Sequence, residues 1–231
     1  MIKISFFEKL LGKPTTKKRS LPTRSKKLLT SNTFNEAIAP QVPPGALSYC
    51  TALWKEHPFS FRLSKTRSTC LGNYKYHNGH HTITVNHDLN PYNFLITYIH
   101  EVAHQKVFIR YKGKKKPPHG QEWKQSFQDL MIPMLSENVF PKDVLVELAN
   151  HMKNPAASST RDQSLMKALK LYDYGREIGQ VLLEEVDIGQ SFLFQKRKFQ
   201  KMEKRRTRAL CLDLNTKKKY TVPLIAEVKL I

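Results

Sequence analysis

The sequence predicts an α+β fold: a helical core around a small antiparallel sheet, followed by a small, basic C-terminal β module. Three observations lead there. A wide apolar stripe (Phe94, Leu95, Tyr98, Ile99, Val102, Ala103) recurs at helical spacing behind Asn90-Pro91, a capping side chain with proline in the first turn. Extended runs over 71–76 and 82–85 flank Asn78-Gly79, a dipeptide suited to a tight hairpin. After Gly175 the helical periodicity gives way to short strand-like runs.

Residues 1–40 read as a basic N-terminal arm, in which Pro14, Pro22 and Pro40 interrupt any long helix. The core is placed at 41–136. It opens with a helix carrying Leu47, Cys50, Leu53 and Trp54 and ending at His57-Pro58, and continues through extended runs at 59–63, 71–76 and 82–85. Gly113 closes the long apolar helix, and Lys112–Pro118 forms a basic loop. A further helix starts near His119 or Gly120 and carries Trp123, Phe127, Leu130 and Met131 on one face. Residues 137–176 read as a helical extension and linker, with helices near 143–152 and 162–172. Residues 177–231 form the β module, with strands at 192–194, 209–212, 220–222 and 227–231, a turn at Asn215 and a basic tract from Lys196 to Arg208.

Composition narrows the function classes. The chain has 231 residues and is 40% hydrophobic, which supplies a real core and argues against a disordered tail. No apolar run approaches the ~18 residues of a membrane-spanning helix. The first thirty residues hold neither the apolar run nor the small-residue cleavage site of a secretory signal, although their basic, Ser/Thr-containing character leaves a transit peptide as the alternative. Cys50, Cys70 and Cys211 are odd in number and far apart, so no disulfide framework or Cys-x-x-Cys site can form, and a reducing cytoplasmic compartment is expected. The 39 Lys and Arg against 19 Asp and Glu leave a formal charge of +20, which favours a polyanion partner, nucleic acid foremost.

The sharpest motif is His100-Glu101-Val102-Ala103-His104 inside the apolar helix. Histidines at i and i+4 lie one turn apart on one face, so both rings can reach one ion, while Glu101 is rotated beside the ion's open position. Zinc suits this arrangement, with Glu101 accepting the proton of an activated water. The competing reading, two histidines that merely hydrogen-bond to neighbours, would leave costly polar groups in an apolar helix. A third ligand is expected at His119, which a chain reversal through Gly113–Pro118 returns to the first two. His77, His80, His81 and His87 lie at or near the hairpin, while His57 and His151 have no motif around them.

Together with His119-Gly120-x-x-Trp123, this motif resembles the SprT-like metallopeptidases. Leu71-Gly72-x-Tyr74, Ile83-x-Val85-Asn86 and Leu89-Asn90 extend the similarity upstream, over roughly 43–136. The resemblance is strongest to bacterial SprT-like proteins related to the Spartan proteases that degrade proteins crosslinked to DNA. It implies one catalytic zinc on His100, His104 and His119, Glu101 as catalytic base, and a zincin-like protease core. Many members carry a C-terminal zinc ribbon with two Cys-x-x-Cys pairs. Here only Cys211 lies in that region, so no second structural zinc is expected and Cys211 reads as a core residue in a ribbon-like but cysteine-poor module.

Two basic segments complete the reading. Lys112, Lys114, Lys115 and Lys116 lie between the second and third ligands and could hold phosphates next to the site. Lys196, Arg197, Lys198, Arg205 and Arg206 could do so in the β module, where Phe199 is either a base-stacking ring or a core residue. The leading expectation is a zinc endopeptidase acting on proteins bound or crosslinked to DNA, with protein substrates and DNA as partners and no membrane, in the cytoplasm and near the nucleoid. The alternatives are a nucleic-acid-associated zinc protein with little proteolytic activity, such as a transcription or repair accessory, and a zinc hydrolase of another bond. The sequence offers Tyr92, Tyr98 and Tyr111 for oxyanion stabilisation without choosing among them.

Overall fold

The computed structural model describes residues 31–67, 69–114, 116–157, 162–173 and 179–231. Most of the basic arm and Lys115 therefore lie outside the described residues. Among the described residues the fold is α+β, with one apolar core under six α-helices and a three-stranded sheet and a second under a six-stranded sheet.

The first core is aromatic. Helix α1 (Ser31–Ile38), at the end of the stretch read as an arm, sends Phe34 and Ile38 fully inside. Phe34 stacks on Trp54 of α2 (Leu47–Glu56) with ring centroids 5.0 Å apart, and it meets Phe59, Phe61 and Tyr98 edge-on or tilted. Burying rings of this size contributes on the order of 2 kcal/mol each.

Strands β1 (Ser60–Ser64), β2 (Gly72–His77) and β3 (His80–Asn86) pair in the order β1-β3-β2. The expected hairpin forms, and Asn78 and Gly79 supply its two positive φ angles of 48° and 77°. The expectation of an all-antiparallel sheet is corrected, because β1 runs parallel to β3. Buried Asn86 makes that geometry possible. Its Oδ1 accepts from Ser64 Oγ (3.0 Å) and Arg67 Nε (2.8 Å), and its Nδ2 donates to the carbonyls of Arg67 (3.1 Å) and Cys70 (3.2 Å). One amide thereby shapes the β1–β2 connection and delivers Gly72 to the long helix.

That helix, α3 (Pro91–Arg110), is capped by Asn90, whose Oδ1 accepts from Asn93 N at 3.0 Å. It is buried over most of its first three turns, which fixes its rotation against the sheet. Helix α4 (Gln121–Met131) packs beside it and buries Trp123 and Phe127. Helices α5 (Lys142–Met152) and α6 (Gln163–Lys170) follow, and Asn90 Nδ2 ties α3 to the end of α6 through the carbonyl of Leu169 (2.9 Å).

In the β module, β4 (Gln180–Leu182), β5 (Ser191–Phe194), β6 (Arg197–Lys204), β7 (Arg208–Asp213), β8 (Lys219–Pro223) and β9 (Glu227–Leu230) form one antiparallel sheet in the order β4-β9-β5-β6-β7-β8. Most of the stretch read as a basic tract, Lys196 to Arg208, is strand β6, and its end turns into β7. Phe199 is 3% exposed and stacks on Phe192, so it belongs to the core, as does fully buried Cys211. Among the described residues no helix is long and apolar enough to cross a membrane.

Candidate metal centre

Two turns of α3 and the loop before α4 bring three imidazoles to one point. The Nε2 atoms of His100 and His104 are 3.3 Å apart, and that of His119 lies 3.2 Å from the first and 3.1 Å from the second. Among the described residues this is the one His/Cys/Asp/Glu group whose ligand atoms converge closely enough to hold an ion. Ligands on a tetrahedral zinc with Zn–N bonds of about 2.0–2.1 Å sit about 3.3–3.4 Å from one another, so the nitrogens are already close to those spacings. A cation satisfies three converging lone pairs together, which shared protons in a triangle cannot.

The chain turns back to place His119 through Lys112 and Gly113, with φ 50° and 73°. His119 itself has φ 59°, a left-handed conformation that costs a residue with a Cβ on the order of 1 kcal/mol. The Trp123 indole is packed against all three rings, at centroid distances of 4.5 Å from His100, 5.5 Å from His104 and 4.7 Å from His119, and its Nε1–H points at the His100 carbonyl (3.4 Å).

Glu101 sits beside the triad and is 6% exposed. The backbone N–H of Tyr74, on the outer edge of β2, donates to its carboxyl group. Gly72 leaves room for it: a Cβ there would lie 2.6 Å from Glu101 Oε1. Burial pushes the Glu101 carboxyl up to about 8, partly opposed by the Tyr74 N–H and the Arg67 charge. Burial also lowers His100 to about 2, helped by the nearby His104, His119 and His151, and lowers His104 to about 4, helped by His119. All three effects leave the site poor in charge until a cation enters, which is the state a ligand set of neutral imidazoles requires.

The triad opens into a cleft of about 450 Å³. One wall is formed by 69–74, including the start of β2. The other is formed by Pro118, Phe127, His151 and Ala157.

Other expected residues fall elsewhere. His77 and His80 are exposed on the sheet, His87 is exposed in the turn after it, and His81 is held by the Tyr74 hydroxyl at 2.9 Å. Lys112 and Lys114 are exposed on the loop between ligands. Lys116 is ion-paired with Glu122 (2.7 Å) and lies over the Tyr111 ring. In the β module, Lys196, Lys198, Arg205 and Arg206 are exposed, whereas Arg197 is drawn onto buried Asp213 and over the rings of Phe199 and Tyr220. Sequence reasoning passed over Gly72, the Tyr74 N–H, Asn86 and His151. For the first three, the segments 71–74 and 83–86 were the available signal; for His151 there was none.

Helix-borne paired histidines and a third histidine from the following loop, with a buried carboxyl beside them, form a group that could hold a metal ion in a protein of α+β class. Residues 48–144 match the family model of the SprT-like family, a family associated with metallopeptidase-like function. No curated protein and no solved structure matches the chain.

Proposed function

We propose that the protein is a zinc-dependent endopeptidase of the SprT-like type, with a zincin-like core, that cuts proteins held on DNA. The observation that carries this reading is the convergence of three Nε2 atoms within 3.1–3.3 Å beside a buried glutamate at the floor of an open cleft. The donor set suits zinc: three imidazoles at tetrahedral spacing, with one side facing the cleft. His100, His104 and His119 would hold the ion. When bound, zinc polarises the scissile carbonyl, activates water at neutral pH, and by its charge favours the ionised form of Glu101.

The remaining roles belong to the chain. Glu101 accepts a proton from the attacking water and returns it to the leaving amine. Tyr74 N–H and the missing side chain of Gly72 hold that carboxylate in one place. Trp123 fixes the three rings and keeps bulk water from their inner side.

The DNA part rests on charge. A net +20, with Lys112 and Lys114 exposed between two ligands and Lys196, Lys198, Arg205 and Arg206 exposed on the β module, favours counterion-releasing contacts with phosphates. Cleavage of a DNA-binding protein by the zinc-loaded chain, with and without single-stranded DNA, tests both parts. Cleavage that DNA stimulates and Glu101→Gln abolishes is the expected result. Equal inertness of wild type and variant overturns the peptidase and leaves a zinc protein that only binds.

A further inference from the structure

His151 belongs to α5, far from the triad in sequence, yet it lines the same cleft. Its residue is 5% exposed. Its Nδ1 lies 2.9 Å from Asp162 Oδ2, and because a carboxylate can only accept, Nδ1–H donates. Asp162 is itself fixed, since its other oxygen caps α6 by accepting from Leu165 N at 3.2 Å. Two ties clamp the end of α5 to α4, the helix that follows His119: Gln128 Nε2 donates to the Met152 carbonyl (2.6 Å), and Lys124 Nζ to Asn154 Oδ1 (2.7 Å). The ring is therefore locked in position and tautomer relative to the triad. Among the described residues its Nε2 has no hydrogen-bond partner within the chain.

The tyrosines offer no rival. Tyr98 is fully buried and donates to the Cys50 carbonyl, Tyr92 packs on Phe140 and Tyr172, and Tyr111 lies under Lys116. Tyr74, at the cleft wall, is engaged by His81.

Resting on the peptidase reading, we propose that His151 is a further catalytic residue, donating from Nε2 to the scissile carbonyl oxygen as that oxygen gains negative charge, with Asp162 as its positioning residue. A ring protonated on both nitrogens gives one N–H to Asp162, whose charge balances it, and the other to the oxyanion. A preorganised donor of this kind favours the transition state over the ground state.

The test uses the zinc-loaded full chain with fluorogenic casein and single-stranded DNA, and a phosphinic pseudopeptide whose tetrahedral anionic oxygens imitate the transition state. His151→Gln is expected to lower kcat about 100-fold with KM changed less than about threefold, and to weaken phosphinate binding by a similar factor at unchanged zinc content. Asp162→Asn keeps the capping oxygen, so it carries the test if His151→Gln fails to fold, and it is expected to lose about tenfold on both readouts. Wild-type kcat and phosphinate affinity in a folded variant overturn the role of His151 alone. Should casein resist cleavage, phosphinate affinity decides. A wild type that neither cuts casein nor binds the phosphinate overturns the peptidase reading and this role with it.

Discussion

Gly72 and Glu101 touch so closely that no side chain fits between them: a Cβ on Gly72 would lie 2.6 Å from Glu101 Oε1, 2.8 Å from its Cγ and 2.7 Å from Thr97 Cγ2. The edge strand and the metal-site helix are thus in register through the very carboxyl group proposed as the base. Gly72→Ala must push β2 outward or turn Glu101 away. Displacing a catalytic group by about 1 Å can cost roughly 100-fold in rate. The variant is expected to keep its zinc, measured by metal analysis, while its cleavage rate falls 10- to 100-fold; an unchanged rate would show that Glu101 does not need this contact.

The metal-free protein should reveal the cost of burying that carboxyl. Its folded pKa, about 8, lies above the ordinary 4.5, so the folded chain holds a proton that the unfolded chain has released between these values. The stability associated with this protonation is present below pH 4.5 and is lost as pH rises through 8. Glu101→Gln removes the dependence. In zinc-free buffer the variant is expected to melt higher than wild type at pH 8, by an amount on the order of a few kcal/mol, and to match it near pH 4.5. Thermal scans of both proteins across this range decide the matter.

The imidazoles work in the opposite direction. His104 and His100 are lowered to about 4 and about 2, so below pH 6.5 the unfolded chain takes up protons that the folded chain refuses. Their contribution is present above 6.5 and drains away as pH falls towards 4 and below. Because His100 and His104 are still neutral at pH 6, the zinc affinity of the Glu101→Gln variant, which has no carboxyl proton to release, is expected to change by less than about threefold between pH 7.5 and 6. A competition titration with a chromophoric chelator measures it, and a steep loss over that interval would mean the rings are more solvated than their packing implies.

How much of this was legible beforehand depended on how local the cause was. His100 and His104 sit four residues apart on a helix marked by its own cap and stripe, so their shared face follows from helix geometry alone. His119 required a chain reversal that Gly113 signalled. The parallel pairing of β1 with β3 depends on Asn86 gathering the connection after β1, a non-local act whose partners the segment 83–86 does not reveal. Strand β6 was hidden because its inward positions include Lys201, 2% exposed, whose ammonium is received by the carbonyls of Leu183, Glu184 and Val186. Alternation of apolar and polar residues cannot announce a strand whose buried side carries a lysine. His151 reaches the cleft only through the packing of α5 on α6 and the hydrogen bonds that tie the end of α5 to α4.

The structure also separates the basic residues of β6 and its neighbours into two kinds, which nucleic acid binding can test. Lys198 and Arg206 are exposed, whereas Arg197 is held by Asp213 between the rings of Phe199 and Tyr220. Asp213 accepts in addition from the backbone N–H groups of Asn215 and Thr216, both at 2.8 Å, so Arg197 completes a turn rather than presenting charge outward. If the module binds phosphates, Lys198→Glu with Arg206→Glu should weaken single-stranded DNA binding about tenfold or more and flatten the plot of log affinity against log salt by about one to two. The melting temperature should stay near wild type, since exposed charges contribute little to folding. Arg197→Gln should behave the other way, lowering the melting temperature while leaving the salt slope nearly intact. Fluorescence anisotropy at several salt concentrations, beside thermal scans, distinguishes them. A double variant with undiminished affinity would move the phosphate contacts off this face of the module, leaving the exposed lysines beside the metal site to be tested next.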